Sequence, residues 1–280
     1  MRRHPCCVLR ERDRPPFLIA HRGGAALYPE NTLYAFQEAV HCHQAAGIEL
    51  DLHLTADGEV VVLHDDTVER TTDGHGRVAW MRLAQLRELD AGWGWTASDG
   101  CSRPFAGKGI RIPTLGEVLD QLSAPLILEL KEGSAQLAYR VAALVRQYRA
   151  EHRVMIASFL PQAIRWMRRI APHLLTGVSW PTAVWLAHLE HLRWPGVFPR
   201  FLGQNRFLLI PVYYEGTVVY SPRLLKNMHR RGVPVHLWTV NATDTMSELS
   251  DDGVDAILTD HPDLFNSWVS SHLGAGSGRR

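Results

Sequence analysis

Short runs of apolar residues recur along the chain, and each is followed by a polar loop and then by a pattern with helical period. Strands alternating with helices are typical of a parallel sheet. Eight strands are what a (β/α)₈ barrel requires, and about 250 residues suffice to build one. The pattern therefore predicts an α/β protein with a (β/α)₈ barrel, whose strands lie at 17–21, 48–53, 126–131, 154–158, 174–178, 207–212, 235–240 and 256–259.

A ninth apolar run, at 60–64, follows the second strand across Ala56-Asp57-Gly58. That link is too short for a parallel crossover. The run is therefore interpreted as the return arm of a hairpin off the second strand. Residues 66–111 then contain loops, glycines and one short helix-like run at 83–90, and we interpret them as an insertion after the hairpin.

Local signals place several helix starts. Thr114 and Glu117 have the spacing of a capping box, in which each side chain accepts from a free amide of the first turn. Ser134, Pro161 and Ser221 each stand where a helix of the barrel is expected to begin.

The 280 residues are 46% hydrophobic, which is enough for one large core. The predicted organisation is a flexible segment at 1–16, a barrel at 17–272 and a flexible tail at 273–280. The formal net charge is +1, and no basic stripe with interleaved aromatic residues occurs, so a nucleic-acid partner is not expected.

No apolar signal-peptide core and no run of about 18 apolar residues occurs. The expected location is therefore intracellular, either cytoplasmic or membrane-associated. The stretch 180–205 is rich in tryptophan, histidine, leucine and proline. It is assigned one of two roles, covering the active end or making a peripheral membrane contact.

Candidate chemistry begins in IELDLHL, residues 48–54, where alternation puts Glu49, Asp51 and His53 on one face. An isolated strand with one wet face would show the same pattern. In a barrel strand, however, the polar face points inward, and two carboxylates about 7 Å apart would repel each other while losing hydration. A bound cation removes both penalties, and oxygen ligands favour Mg²⁺ or Ca²⁺.

The third barrel strand repeats this pattern, because LILELK places Glu129 and Lys131 on one face. A buried ion pair between these two residues is the simpler interpretation. Since two strands share an inward acidic face, Glu129 is also a candidate third metal ligand.

His21 ends the first strand and His64 ends the predicted hairpin, so both are expected near the acids. Two histidines can divide proton transfer between a neutral base and a protonated acid. Arg22 and Lys131 add two cations suited to a phosphate. Gly23 and Gly24 are expected to let the backbone pass close to a ligand, although glycine also suits a plain turn. This set describes phosphoryl transfer or phosphodiester hydrolysis.

Several stretches then resemble one family. AHRGG followed by PENT, ELDLHLTADGEVVVLHDD, LELK, WTVN and ILTDHP are similar to the glycerophosphodiester phosphodiesterases, and the resemblance spans about 17–265. It implies a TIM barrel, one divalent cation (Mg²⁺ before Ca²⁺) and an insertion after the His-Asp motif. SFLPQAIRWMR and VVYSPRLLKNMHRRGVPVHLWTVN are most similar to the animal, membrane-associated branch. That branch is associated with glycerophosphoinositol and glycerophospho-N-acylethanolamines.

The resemblance also implies roles. The expected catalytic acid/base pair is His21 and His64, the metal ligands are Glu49, Asp51 and Glu129, and the substrate-binding residues are Arg22, Lys131 and Trp238. For Trp238, a core position is an equal alternative. Asn31 is expected to brace the PENT loop and cap the following helix, and Asp260 matches a late aspartate or only caps the last helix.

The resemblance implies hydrolysis of a small-molecule glycerophosphodiester to sn-glycerol 3-phosphate and an alcohol. A lysophospholipase D acting on a lysophospholipid is the alternative, because the phosphate chemistry is the same. A retired barrel serving as a binding module is the third interpretation. It conflicts with the retention of buried like charges.

Overall fold

The computed structural model describes residues 9–11, 14–191 and 206–276. Within these, the parallel strands of the barrel are β1 (Phe17–His21), β2 (Gly47–Leu54), β4 (Leu126–Leu130), β5 (Val154–Ala157), β6 (Leu175–Gly177), β7 (Arg206–Pro211), β10 (Val235–Trp238) and β11 (Ala256–Thr259). All eight fall where the apolar runs predicted them, with ends that differ by a few residues. Two further short strands, β8 (Tyr213–Tyr214) and β9 (Thr217–Val218), form a separate antiparallel pair after β7.

The sheet closes on itself. Its strands follow one another in the order β1, β11, β10, β7, β6, β5, β4 and β2, and β1 also pairs with β2. Every one of these pairings is parallel. The predicted (β/α)₈ barrel is therefore confirmed. Since all eight strands run the same way, the residues at their carboxyl ends meet at one rim.

Helices surround the barrel. They are α1 (Leu33–His41), α3 (Leu115–Gln121), α4 (Ala135–Gln147), α5 (Pro161–Ile170), α6 (Trp180–His191), α7 (Pro222–His229), α8 (Thr243–Asp252) and α9 (Pro262–Gly276). The predicted capping box is present, since Thr114 accepts from the amide of Glu117 and Glu117 accepts from that of Thr114. Ser134 and Ser221 cap α4 and α7 in the same way.

The prediction for the start of α1 is wrong by one residue. Thr32, not Asn31, is the N-cap, because its hydroxyl oxygen accepts from the amide of Ala35. Asn31 has a left-handed backbone with φ of 59°. This conformation turns its side chain away from the helix, toward the barrel strand that carries Asp51.

The predicted hairpin is also present. Strand β3 (Val60–Val62) runs antiparallel to β2, outside the closed barrel. The insertion that follows contains a 3₁₀ turn (Val78–Trp80) and a short helix, α2 (Leu83–Leu86), which stops earlier than the predicted run at 83–90. The hairpin and the insertion share a separate apolar cluster, formed by Val61, Leu63, Val68, Val78, Leu86, Ala91 and Ile112.

Two layers of apolar side chains hold the barrel. Inward-facing residues such as Ile19, Ile127, Met155 and Phe207 fill its interior. A larger layer packs between the outer faces of the strands and the helices. Because the interior is filled below, the room for a ligand inside the barrel lies at the rim formed by the carboxyl ends of the strands.

Some predictions fall on parts of the chain outside the described residues. These parts are 1–8 and 12–13 of the expected flexible start, 192–205 of the predicted covering stretch, and 277–280 of the expected tail. Helix α9 runs to Gly276, four residues beyond the predicted end of the barrel. No helix in the described ranges has the length and apolarity needed to cross a bilayer.

The amino end of the barrel depends on a buried carboxylate. Asp255 is fully buried and accepts from the backbone amides of Val235 and Arg10, each at 2.7 Å. The ring of His229 lies 2.8 Å from the same carboxylate. Asp255 thus joins β10, α7 and the segment before β1.

Replacing Asp255 with alanine should leave these donors without a partner. We expect the free energy of unfolding to fall by about 3–5 kcal/mol, since a buried polar partnership is broken. Urea denaturation followed by circular dichroism measures the change. Glu248→Ala, at an exposed position of α8, is the matched control and should change stability by less than about 0.5 kcal/mol. Equal effects of the two substitutions would contradict the structural role of Asp255.

Candidate active site

Strand register brings the predicted residues together. His21 lies beside Glu49 across the β1–β2 pairing, and Asp51 lies beside Glu129 across the β2–β4 pairing. His21 and Glu129 lie at or next to the carboxyl ends of β1 and β4, and Glu49 and Asp51 of the longer strand β2 are level with them. The residues that the alternation placed on the inward faces of these strands therefore form one cluster at the rim of the barrel.

The three carboxylates are crowded. One oxygen from each of Glu49, Asp51 and Glu129 lies within 4.8 Å of the others. Glu49 and Asp51 are almost completely buried. Burial and the neighbouring Asp51 raise the pKa of Glu49 to about 8, and burial also raises the pKa of Glu129. The protein by itself therefore holds a proton among these acids. A divalent cation fits the all-oxygen donor set and would replace that proton.

Lys131 lies between two of the acids. Its Nζ is 2.9 Å from Oδ1 of Asp51 and 3.0 Å from Oε1 of Glu129. The ion pair with Glu129 and the shared acidic cluster are thus both present, so the two interpretations are compatible. Although burial alone would raise the pKa of Asp51, the charges of Lys131 and Arg22 lower it below its usual value.

Arg22 contacts three carboxylates. Its backbone amide donates to Glu49 at 3.2 Å, its Nη1 donates to Glu30 at 3.0 Å, and its Nε lies 3.4 Å from Oδ2 of Asp51. The Nε–H is buried and donates no hydrogen bond to any residue in the described ranges. Arg22 therefore retains a donor that faces the acidic cluster.

Asp260 binds His21. The Nδ1 atom of His21 is 2.7 Å from Oδ1 of Asp260, and Asn241 donates to the other carboxylate oxygen at 2.9 Å. Because a carboxylate only accepts, the hydrogen lies on Nδ1. The Nε2 atom is left facing Glu49, at 3.9 Å. Asp260 thus orients His21, a partnership that the sequence analysis did not predict.

His64 has a matching partner. Its Nδ1 lies 2.6 Å from Oδ1 of Asp65, the next residue in the chain. The ring of His53 donates to the backbone oxygen of His64 at 3.2 Å, which fixes the end of the hairpin to β2. The adjacency of His64 and Asp65 was a signal available in the sequence, but it was not used.

The two histidines have different electrostatic surroundings. Burial alone would lower the pKa of His21, but Asp260 and Glu49 outweigh it and raise that pKa. Burial lowers the pKa of His64, and the positive charges of Lys131 and Arg22 add to this effect. In the protein by itself, the two rings are therefore biased toward opposite protonation states.

Asn31 supports the cluster rather than the helix. Its Nδ2 donates to Oδ2 of Asp51 at 2.8 Å, and its Oδ1 accepts from the amide of Asp51 at 3.3 Å. The PENT loop is thereby tied to an acid that was predicted as a metal ligand.

Gly23 and Gly24 suit the turn that was the second interpretation for them. They have φ of 87° and 94°, a region that favours glycine. A Cβ on Gly23 would lie 2.8 Å from atoms of Ala35 and Phe36. A Cβ on Gly24 would lie 3.1 Å from Pro262. The glycines therefore also make room for helices α1 and α9, and a close approach to a ligand stays a prediction.

The cavity at the rim has a polar half and an apolar half. The polar half is lined by His21, Arg22, Glu49, His64, Glu129 and Lys131. The other half is lined by Ser158, Phe159, Val178, Trp180, Leu209, Trp238 and Leu258. Trp238, for which pocket and core were equal alternatives, faces this cavity. Asp51 lies within the acidic cluster but does not line the cavity.

Cation binding at the acidic cluster should release a proton. With a pKa of about 8, Glu49 is mostly protonated at pH 7, and a ligand carboxylate must lose its proton to bind a metal. We expect about one proton per Mg²⁺ at pH 7 and a much smaller number at pH 9. Calorimetric titration in buffers of different ionisation enthalpy measures the proton count.

Glu49→Gln is the control for this titration. Its amide side chain has no carboxyl proton to release, and the variant should bind Mg²⁺ weakly. A proton count near zero at pH 7, or one that does not change between pH 7 and pH 9, would contradict the assignment.

Comparison with known proteins gives a consistent result. The family described as "Glycerophosphoryl diester phosphodiesterase family" matches residues 21–264. A "Glycerophosphodiester phosphodiesterase" from Caldanaerobacter subterraneus subsp. tengcongensis is 34% identical over 258 residues, which cover 90% of this chain and 97% of that protein. "Glycerophosphodiester phosphodiesterase 1" from Rattus norvegicus is 32% identical over 265 residues, covering 85% of this chain and 75% of that protein.

A solved structure is also similar. It is an Oleispira antarctica phosphodiesterase in complex with the product sn-glycerol-3-phosphate. That chain is 27% identical, with a TM-score of 0.71, and the match covers 91% of this chain and 97% of that one. The family match, the identity to the bacterial enzyme and the shared barrel agree. The chain belongs to the glycerophosphoryl diester phosphodiesterase family.

Proposed function

We propose that this chain is a metal-dependent enzyme that hydrolyses glycerophosphodiesters to sn-glycerol 3-phosphate and an alcohol. One observation carries the proposal. His21 and His64 each bind a carboxylate through Nδ1, and both line a cavity that also contains an acidic cluster and two cations. The product bound by the Oleispira antarctica enzyme supports the same substrate class.

Arg22 and Lys131 bind the phosphate in this proposal. Both line the cavity, and the buried Nε–H of Arg22 is available as a donor. An arginine fork and a lysine point charge together match the oxygens of a phosphodiester. Fixed positive charge beside the phosphorus stabilises the negative charge that develops on those oxygens during attack.

The histidines transfer protons through Nε2, since Nδ1 of each ring is bound to a carboxylate. One ring accepts the proton of the attacking hydroxyl, which belongs to water or to the glycerol moiety of the substrate, as its oxygen bonds to phosphorus. If the glycerol hydroxyl attacks, a cyclic phosphate forms first, and water opens it in a second step to give sn-glycerol 3-phosphate. The bond from phosphorus to the leaving oxygen breaks, and the other ring donates a proton to that oxygen. Both aspartates keep the rings in the required tautomer.

Glu49, Asp51 and Glu129 are the proposed metal ligands. Mg²⁺ is proposed before Ca²⁺, since a site with few carboxylates and only oxygen donors suits Mg²⁺. When bound, the cation would supply positive charge next to the phosphate oxygens.

Alanine at either histidine should lower the rate of sn-glycerol 3-phosphate release from glycerophosphocholine by about 10²–10⁴-fold, the usual contribution of one acid or base. A coupled assay with glycerol-3-phosphate dehydrogenase measures it. His75→Ala, at an exposed position of the insertion, is the matched control and should keep the original rate. Near-normal turnover of both His21→Ala and His64→Ala would contradict the proposal.

A lysophospholipase D activity is the second candidate, and the apolar half of the cavity favours it. The ring centroid of Phe159 lies 5.2 Å from that of Trp180 and 5.5 Å from that of Trp238. Tyr214 packs on Trp180 at 4.6 Å. Phe159, Trp180 and Trp238 line the same cavity as the acids, and they offer an apolar surface for an acyl chain next to the phosphate site.

Trp180→Ala tests this second candidate. We expect kcat/KM for lysophosphatidylcholine to fall about tenfold or more, since an aromatic contact with an acyl chain is lost. For glycerophosphocholine, which has no acyl chain, the value should change little. Choline release measures both reactions. Trp185→Ala, on the exposed side of the same helix, is the matched control.

Equal losses with both substrates after Trp180→Ala, or no choline release from lysophosphatidylcholine by the unmodified protein, would contradict the second candidate.

The finer branch assignment stays a prediction. The bacterial and the rat relatives have similar identities, 34% and 32%, so they do not favour the animal branch. Peripheral membrane contact through 180–205 also stays a prediction, because only α6 of that stretch lies within the described residues.

A further inference from the structure

Arg70 lies in the insertion, five residues after Asp65, and its guanidinium contacts two carboxylates at once. Nε and Nη2 donate to the two oxygens of Asp65, at 2.7 and 3.0 Å. Nη1 and Nη2 donate to the two oxygens of Glu30, at 2.7 and 2.8 Å. Four hydrogen bonds from one planar group hold both carboxylates in a fixed relative position.

Each carboxylate also binds a residue of the proposed active site. Oδ1 of Asp65 accepts from His64, and Oε1 of Glu30 accepts from Arg22 at 3.0 Å. A continuous series of contacts therefore runs from His64 through Asp65, Arg70 and Glu30 to Arg22. Arg70 itself does not line the catalytic cavity.

We propose that Arg70 is a positioning residue that fixes the proton-transfer ring of His64 relative to the phosphate-binding fork of Arg22. The inference rests on the proposed function, since it assigns Arg70 its effect through those two residues. It also gives the insertion a role in the reaction, because the barrel contributes Arg22 and the hairpin contributes His64.

The charges agree with this geometry. The hydrogen bonds from Arg70 hold the pKa of Asp65 well below its usual range, so Asp65 remains an acceptor for His64. Burial alone would raise the pKa of Glu30, but Arg70 and Arg22 lower it. Without Arg70, two carboxylates would face each other with one fewer cation between them, and each would be held only by its contact with His64 or Arg22.

The backbone at Arg70 is itself braced. A Cβ on Gly94 would lie 2.3 Å from the backbone oxygen of Arg70 and 2.4 Å from Cα of Thr71. The second half of the insertion thus packs directly on the loop that carries the arginine. This close approach fixes the place from which the side chain reaches its two acceptors.

The test is a double-mutant cycle between Arg70→Met and His64→Ala, with glycerophosphocholine as substrate. Arg70→Met alone should lower kcat by about 10–100-fold, because a misplaced catalytic group reacts slowly. In the His64→Ala background, the same substitution should change kcat by less than about twofold, since the ring that it positions is already gone. A purely structural role would lower kcat by the same factor in both backgrounds.

Arg77→Met is the matched control. Arg77 is an exposed arginine of the same insertion that donates to Asp66 at 2.6 Å, but Asp66 contacts neither histidine. This variant should retain the original kcat. Arg70→Lys should remain impaired, because an ammonium group cannot make two bidentate contacts.

Asp65→Asn tests the contact of this series that lies between His64 and Arg70. It keeps the shape of the side chain, and it should reproduce both the loss in kcat and its disappearance in the His64→Ala background. Thermal midpoints of all variants establish that each is folded.

The outcomes separate the two proposals. If His64→Ala is impaired but Arg70→Met matches Arg77→Met, or loses the same factor in both backgrounds, the role of Arg70 is overturned while the proposed function stands. If His64→Ala turns over normally, the proposed acid/base chemistry fails, and the role of Arg70 fails with it.

Discussion

The mutual repulsion of Glu49, Asp51 and Glu129 is the interaction on which the rest of the site depends. Three acids whose oxygens lie within 4.8 Å cannot all be ionised in a buried setting without compensation. The structure supplies part of that compensation through Lys131 and Arg22, and Glu49 retains a proton through its raised pKa. The contacts around the acids follow from this partly compensated negative charge, because each nearby donor is attracted to a carboxylate.

The site also depends on a repeated arrangement of histidine and aspartate. His21 and Asp260 come from neighbouring barrel strands β1 and β11, whereas His64 and Asp65 are adjacent in the chain. The tautomer with hydrogen on Nδ1 is thus fixed in His21 by a residue distant in sequence and in His64 by the next residue in the chain. The barrel determines the first pair, and the hairpin determines the second.

The sequence predicted the barrel because most of its strands are buried on both faces, which leaves short apolar runs, each followed by a stretch with helical period. It also predicted the acidic cluster, since Glu49, Asp51 and Glu129 alternate with apolar residues on strands that pair directly. The sequence did not predict the contact of His21 with Asp260, because 239 positions separate these residues and no local pattern encodes their contact. The helix-capping role expected for Asn31 was wrong for a related reason. Left-handed backbone and close helix packing are properties of the folded loop, and composition alone is ambiguous about them.

The hairpin lies outside the closed barrel, and its two faces pack differently. Val60 and Val62 join the core between the strands and the helices, whereas Val61 and Leu63 pack on the insertion. The insertion is therefore the part whose opening leaves the barrel core intact, since local stability in a protein varies from one packed cluster to another. Loosening it would remove the apolar support beside His64 while the eight barrel strands kept their mutual pairings. Catalytic competence and global stability are in this sense different quantities for this fold.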